Sequence, residues 1–314
     1  MASSRPISVN PGQGWRNGIS TRFSPAWLSS GAATVSTSET SLPLGSCFKN
    51  KQNYLLGCSY KIMNPKIRLY KDLEELSQAA AELFVEQAQS IAARENFLVA
   101  LNGGSTPNRL FQLLATKFRE KVDWMNVHVF WGDERCVPQD DPGSSYGQAR
   151  ETLLRHVPIP DSNVHRVKGE LGPDEASKDY SLILKEFASP ELAWPRFDLV
   201  YLGMGEDGHT ASLFPGSPLD VSEPTLPVTA SYQDRPANRV TLTPVVFNSA
   251  RMVVFMATGE KKAQTLTEVL SGRYNPELYP AQRIEPKEGR LLWLVDEAAA
   301  SRLPRKLLSK FCEG

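Results

Sequence analysis

The stretch GMGEDGHTASLFPG at 203–216 sets two carboxylates and a histidine, Glu206, Asp207 and His209, among glycines, directly behind the apolar run FDLVYL at 197–202. Histidine titrates near neutral pH, which makes His209 a candidate general base. Asp207, two residues away, is placed to orient the imidazole or to stabilise its cation, and the glycines leave room for a substrate. The same glycines, Gly203, Gly205 and Gly208, also satisfy the dinucleotide spacing G-x-G-x-x-G. That reading fails on charge: Glu206 and Asp207 stand where a diphosphate would lie and would repel it. It also needs an acid at the end of the next strand, about 20 residues on, where VSEPTLPVTA at 221–230 is broken by proline. A metal site has little to build on. Of the other histidines, His128 lies inside a strand, while His156 and His165 flank a proline-containing segment and read as solvated. A purely structural His209 remains the plain alternative.

Three further loops carry residues suited to the same chemistry. NGGSTP at 102–107 joins two glycines to two hydroxyls, Ser105 and Thr106, ahead of a helix. Glycine admits close backbone approach, and a helix N-terminus favours an anion such as phosphate. A tight strand-to-helix turn would use the same residues for geometry alone. GDER at 132–135 puts Asp133, Glu134 and Arg135 behind the apolar VHVFW; the plain reading is a solvated loop with an internal ion pair. Lys261 and Lys262, in GEKKA, fall near a helix start, where a cation opposes the helix dipole unless an anion is bound there. Arg239, in NRVTLTP, is a second basic candidate.

The elements that must position these loops alternate. KIRLY reads as a strand. Asp72 stands as an N-cap with Glu75 three residues on, ahead of a helix whose apolar face is Leu73, Leu76, Ala80, Leu83, Phe84, Ala88 and Ile91. FLVAL, VHVFW, FDLVYL, RMVVFMA and GRLLWLV are strands by their apolar runs. Helices are expected from Pro107, near 146–155, shortly after the 203–216 stretch, and over TGEKKAQTLTEVLSG, closed by Gly272. Strand–helix alternation argues a mostly parallel sheet with helices on both faces, a three-layer α/β architecture. Ligands of such sheets sit beyond the carboxyl ends of the strands, where the four loops fall. The Pro- and Ser-rich 215–236 reads as loop.

Composition is that of an ordinary globular chain: 314 residues, 41% hydrophobic, 22% charged and zero formal net charge. Neither a nucleic-acid surface nor a membrane surface is suggested, and no apolar run approaches a membrane span. The four cysteines lack C-x-x-C spacing and read as free thiols. Residues 1–65 are rich in Ser and Thr, carry scattered Arg and Lys, and hold a single acid, Glu39. That composition fits an organellar transit peptide, plastid before mitochondrion, with a plain tail and a cytosolic protein as the alternative. A single domain is expected over 66–314.

Taken together, NGGSTP, WGDERCVP with a following YGQAR, LGMGEDGHTASLFPG, RVTLTP, GEKKA and GRLLWLVDEAAA resemble the 6-phosphogluconolactonase family over residues 66–307. The resemblance implies the three-layer α/β fold shared with sugar-phosphate isomerases and glucosamine-6-phosphate deaminases. It implies hydrolysis of 6-phospho-D-glucono-1,5-lactone, the second step of the oxidative pentose phosphate pathway. No metal and no organic cofactor are implied, and the chain would act as a monomer or weak homodimer. The phosphate would rest on Gly104, Ser105 and Thr106, with Arg239 and Lys262 as counter-charges. His209 would be the base with Asp207 beside it, and Asp133 and Arg135 would border the lactone. Ser145 stands where the family usually has Asn, which bears on a loop or substrate contact. A glucosamine-6-phosphate deaminase is the nearest rival, although such enzymes carry Asn-Glu-Pro after the Gly-His pair and this chain has TASLFPG. A non-catalytic sugar-phosphate binder is the other.

Overall fold

The computed structural model describes residues 66–92 and 96–308. The expected transit peptide, 1–65, lies outside the described residues. The chain divides after Gly57, and every described residue belongs to the unit Cys58–Gly314. Among the described residues Cys136 is a free thiol, and no helix is long and apolar enough to cross a membrane.

Ten strands follow one another as β1 (Lys66–Tyr70), β2 (Phe97–Leu101), β3 (Val127–Trp131), β4 (Asp133–Arg135), β5 (Val164–His165), β6 (Leu199–Gly203), β7 (Thr225–Thr229), β8 (Asn238–Leu242), β9 (Met252–Ala257) and β10 (Arg290–Asp296). The helices are α1 (Leu73–Ala92), α2 (Ser105–Ala115), α3 (Ser145–Thr152), α4 (Pro173–Glu186), α5 (Pro244–Phe247), α6 (Ala263–Ser271), α7 (Glu297–Ala300) and α8 (Arg305–Leu308).

Seven strands form one sheet in the order β1-β10-β9-β6-β2-β3-β5, and each neighbouring pair is parallel. All six residues of β9 are buried. Successive side chains of a strand point to opposite faces, so both faces of the sheet are covered there. Trp293 of β10 stacks on Phe255 of β9 with ring centroids 4.0 Å apart, and each such burial contributes about 1.5–3 kcal/mol. α1 starts as its sequence predicts: Asp72 accepts from the Glu75 amide at 3.0 Å, and Glu75 accepts from the Lys71 amide at 2.9 Å.

Four expectations are corrected. GDER is not a loop: β4 pairs antiparallel with β8, which pairs with β7, giving a separate three-stranded sheet. The segment 215–236 therefore contains a strand, β7, whose Pro227 sits on an edge where a missing N–H is tolerated. No helix follows the 203–216 stretch; a turn closed by the Thr210–Leu213 bridge stands there. His165 is not solvated but half-buried in β5, its ring stacked on Phe130 and its Nε2 3.0 Å from His128 Nδ1. Burial, together with the neighbouring His128, pushes the His165 imidazole down to about 4.

β4 can leave the main sheet because Tyr180 of α4 finishes β3. Its hydroxyl accepts from the Trp131 amide at 2.8 Å and donates to the Trp131 carbonyl at 3.0 Å. The chain runs from β2 to β3 on one side, but β6 returns to the other side of β2. The topological switch point thus lies between β2 and β6, where open α/β sheets bind ligands.

Candidate active site

A cavity of about 180 Å³ opens at that switch point. Asn102 to Pro107 of the β2–α2 turn line it, as do Asp133 and Arg135 of β4, residues 203–206 and His209 after β6, Tyr232, Gln233 and Arg235 of the β7–β8 hairpin, Arg239 of β8, and Lys262. It brings together the expected site residues Gly104, Ser105, Thr106, Asp133, Arg135, His209, Arg239 and Lys262; Asp207 lies directly behind His209, and Glu134 and Lys261 do not line it. A larger groove of about 770 Å³ adjoins it and contains no His209; the chemistry is assigned to the smaller cavity because the titratable groups converge there.

His209 is fixed on all sides. Its Nδ1 donates to Asp207 Oδ1 at 2.6 Å, and its backbone amide donates to the same oxygen at 3.1 Å. A carboxylate only accepts, so the proton sits on Nδ1 and the lone pair on Nε2, the tautomer a general base requires. Phe214 and Tyr232 pack on the ring with centroids 4.6 Å away. Burial raises the Asp207 carboxyl, but the hydrogen bond and charge of His209 outweigh it and hold the group below the usual carboxylate range. The role expected of the glycines changes here. A Cβ on Gly205 would lie 2.1 Å from His209 Nδ1 and 2.6 Å from Asp207 Oδ1. Gly205 therefore makes room for the Asp207–His209 pair itself, and Gly203, where a Cβ would meet nothing within 4 Å, is the one that leaves space in the cavity.

β4 divides its three charges by strand alternation. Glu134 points away from the cavity and is fully enclosed. Its Oε1 accepts from the amides of Arg135 and Ser145 and its Oε2 from the Tyr146 amide, each at 2.7 Å, while Ser144 Oγ donates to Oε2 at 3.1 Å. Burial raises its carboxyl above the usual range against the pull of those amides. It anchors the start of α3. Asp133 and Arg135 point into the cavity. Asp133 accepts from Ser212 Oγ at 2.7 Å.

The cations form the most unusual feature. Arg135 and Arg239 sit directly opposite each other in the β4–β8 register, and like charges so placed repel. Both are more than nine-tenths buried. Arg135 Nη1 donates to the Gly143 carbonyl at 2.6 Å and Arg239 Nε to the Pro236 carbonyl at 3.0 Å. Arg135 Nε and Arg239 Nη2 are buried with no partner. The Arg239 guanidinium lies over the Phe214 ring at 5.3 Å. Burial lowers its pKa, with Arg135 and Arg235 adding to the effect. Lys262 is likewise lowered, first by burial. Asp296 holds the turn ahead of it: its oxygens accept from the Gly259 amide at 3.0 Å while one caps α7.

α2 begins at Ser105, two residues before the expected Pro107, and Gly104 precedes it with φ 118°. The Gly104 amide is not free: it donates to Gln148 Oε1 at 2.9 Å, and Gln148 Nε2 donates back to the Gly104 carbonyl at 2.9 Å. The amides of Ser105 and Thr106, in the first turn of α2, have no partner within the helix. The Thr106 hydroxyl is shared with Thr258 at 3.2 Å. Ser145 packs behind the turn, its Oγ 2.3 Å from the place a Gly103 Cβ would take, and that hydroxyl is buried without a partner. Among the described residues no group of His, Cys, Asp and Glu has metal-binding geometry.

Sequence reading missed Gln148, Ser212, Tyr232 and Arg235. The last two lay in the segment read as loop, where no periodicity marks them; Gln148 falls in the quoted YGQAR without a pattern to single it out.

Residues 71–293 match the family of glucosamine-6-phosphate isomerases/6-phosphogluconolactonase. A 6-phosphogluconolactonase from Synechocystis is 39% identical over 68% of this chain and 88% of its own length. A rice protein described as probable 6-phosphogluconolactonase 4, chloroplastic, is 35% identical over 77% of this chain and 78% of its own. The solved 6-phosphogluconolactonase of Trypanosoma brucei superposes with a TM-score of 0.67 at 30% identity, over 76% of this chain and 99% of that one. The chain belongs to the glucosamine-6-phosphate isomerase/6-phosphogluconolactonase family.

Proposed function

We propose that the protein hydrolyses 6-phospho-D-glucono-1,5-lactone to 6-phosphogluconate in the oxidative pentose phosphate pathway. The observation that carries this reading is the convergence of the Asp207–His209 pair with buried, incompletely partnered cations on one cavity. A phosphate supplies the negative charge those cations lack, and a lactone carbonyl held by its phosphate comes within reach of a base. Ser105, Thr106, Arg239 and Lys262 bind the phosphate, with Gly104 shaping the turn. Asp133 and Arg135 border the ring.

His209 Nε2 takes a proton from water as the water oxygen attacks C1. The carbonyl electrons move to oxygen, and Arg135 or the loop amides are the candidate donors for that oxyanion. Collapse of the tetrahedral species breaks the bond from C1 to the ring oxygen, and His209 returns its proton to that oxygen. Asp207 holds the imidazole in the basic tautomer and steadies its cation.

A coupled assay of lactone disappearance, corrected for spontaneous hydrolysis, tests the reading. Turnover of glucosamine 6-phosphate with ammonia release, or tight 6-phosphogluconate binding without turnover, would replace it. We further propose that residues 1–65 address the protein to plastids; a fluorescent fusion of that segment that stays diffuse in the cytosol refutes this.

A further inference from the structure

The cavity and the larger groove beside it share four residues: Gly104, Ser105, Arg135 and Arg235. Two open the α2 helix and two are guanidiniums. Arg235 thus lines both spaces, as do the residues that open α2. It forms no ion pair among the described residues, and its charge depresses both Arg239 and Lys262. A solvated arginine with free choice of direction would move away from two other cations.

The backbone shows how it is kept there. Tyr232 and Arg235 form an antiparallel bridge, with the Arg235 amide donating to the Tyr232 carbonyl at 3.1 Å. Between them Gln233 and Asp234 have φ 47° and 53°. Two successive left-handed residues make a type I′ turn, which Gly, Asn and Asp ordinarily occupy, so Gln233 is the residue out of place. Strain of this kind gathers at functional sites. The turn also fixes Tyr232 against the His209 ring, so one tight hairpin tip delivers a wall of the base and a cation.

We propose that Arg235 is a further binding residue for the substrate's phosphate. The inference rests on the phosphorylated-lactone reading of the cavity and adds a residue that the family resemblance did not supply. Arg235 is exposed, so its replacement does not threaten folding.

The test compares wild type, Arg235→Ala and Arg235→Lys on the 6-phospholactone and on unphosphorylated glucono-1,5-lactone. Arg235→Ala raises KM for the phosphorylated substrate about tenfold or more and leaves kcat within about twofold. Its constants for the unphosphorylated lactone do not move, and Arg235→Lys recovers most of the loss. Inorganic phosphate, titrated calorimetrically, binds Arg235→Ala correspondingly more weakly. A KM within twofold of wild type, or an equal shift on both lactones, overturns the proposal. Wild type without turnover of either lactone would sink the hydrolase reading, while the phosphate titration would still decide whether Arg235 binds the anion.

Discussion

Glu134 and Arg135 are neighbours on β4, both charged and both buried, yet their surroundings differ completely. Each oxygen of Glu134 accepts two hydrogen bonds, three of the four from the start of α3 and its approach and one from the Arg135 amide. Arg135, facing the other way, keeps a buried nitrogen without a partner and confronts a second arginine across the strand pair. A buried polar group without a partner costs about 1–3 kcal/mol. One face of this short strand is thus fully satisfied by the protein's own atoms, while the other keeps an unpartnered guanidinium nitrogen beside the cavity. Burial alone does not separate structural charge from functional charge; the count of partners does.

Substitutions on the two sides sharpen that contrast. The largest effect falls on the cavity side at His209, whose Nε2 has no partner among the described residues. His209→Ala lowers kcat by about 10²–10⁴-fold with KM little changed, read by initial rates above the spontaneous background; near-normal kcat would remove His209 from its role. Arg239→Met comes next. It raises KM for the phosphorylated lactone by about 10- to 100-fold, while the melting temperature holds or rises, because an unpaired buried cation has been removed. Added phosphate then stabilises wild type but not the variant. A variant that melts much earlier without ligand would place Arg239 on the structural side. The smallest functional effect belongs to Glu134→Gln. It sets a side-chain amide NH2, a donor, against a backbone N–H that needs an acceptor and costs about 1–3 kcal/mol in denaturant unfolding. The kcat of the folded fraction stays within about twofold. A large loss of kcat without loss of stability would break the comparison.

Much of this was readable from residues alone. Long apolar runs fixed the strands of the parallel sheet, since a strand buried on both faces has no other composition. The Asp207–His209 pair was legible because two residues of separation suffice to join a side chain to its neighbour. The three-stranded sheet was hidden. β4 has three residues, too few for alternation to register, and β7 contains Pro227. Arg235 went unseen too, because its position depends on a tight turn in which Gln233 takes a positive φ it seldom adopts. The glycines of 203–208 were visible, but which of them serves the base and which the cavity follows only from where a Cβ would fall.

The pairing of β1 with β10 has a consequence for how the molecule forms. Lys66 lies beside Leu292 and Tyr70 beside Asp296, so the first described strand meets the last. Contacts between segments so distant in sequence slow folding, because the chain closes a long loop before they reward it. During synthesis β1 waits unpaired until almost the entire chain has emerged, and in that interval the free edge of β9 is open to another chain. The cavity walls run from Asn102 to Lys262 and are complete in sequence before β10, so a chain halted short of β10 carries every wall residue and still leaves the β9 edge open.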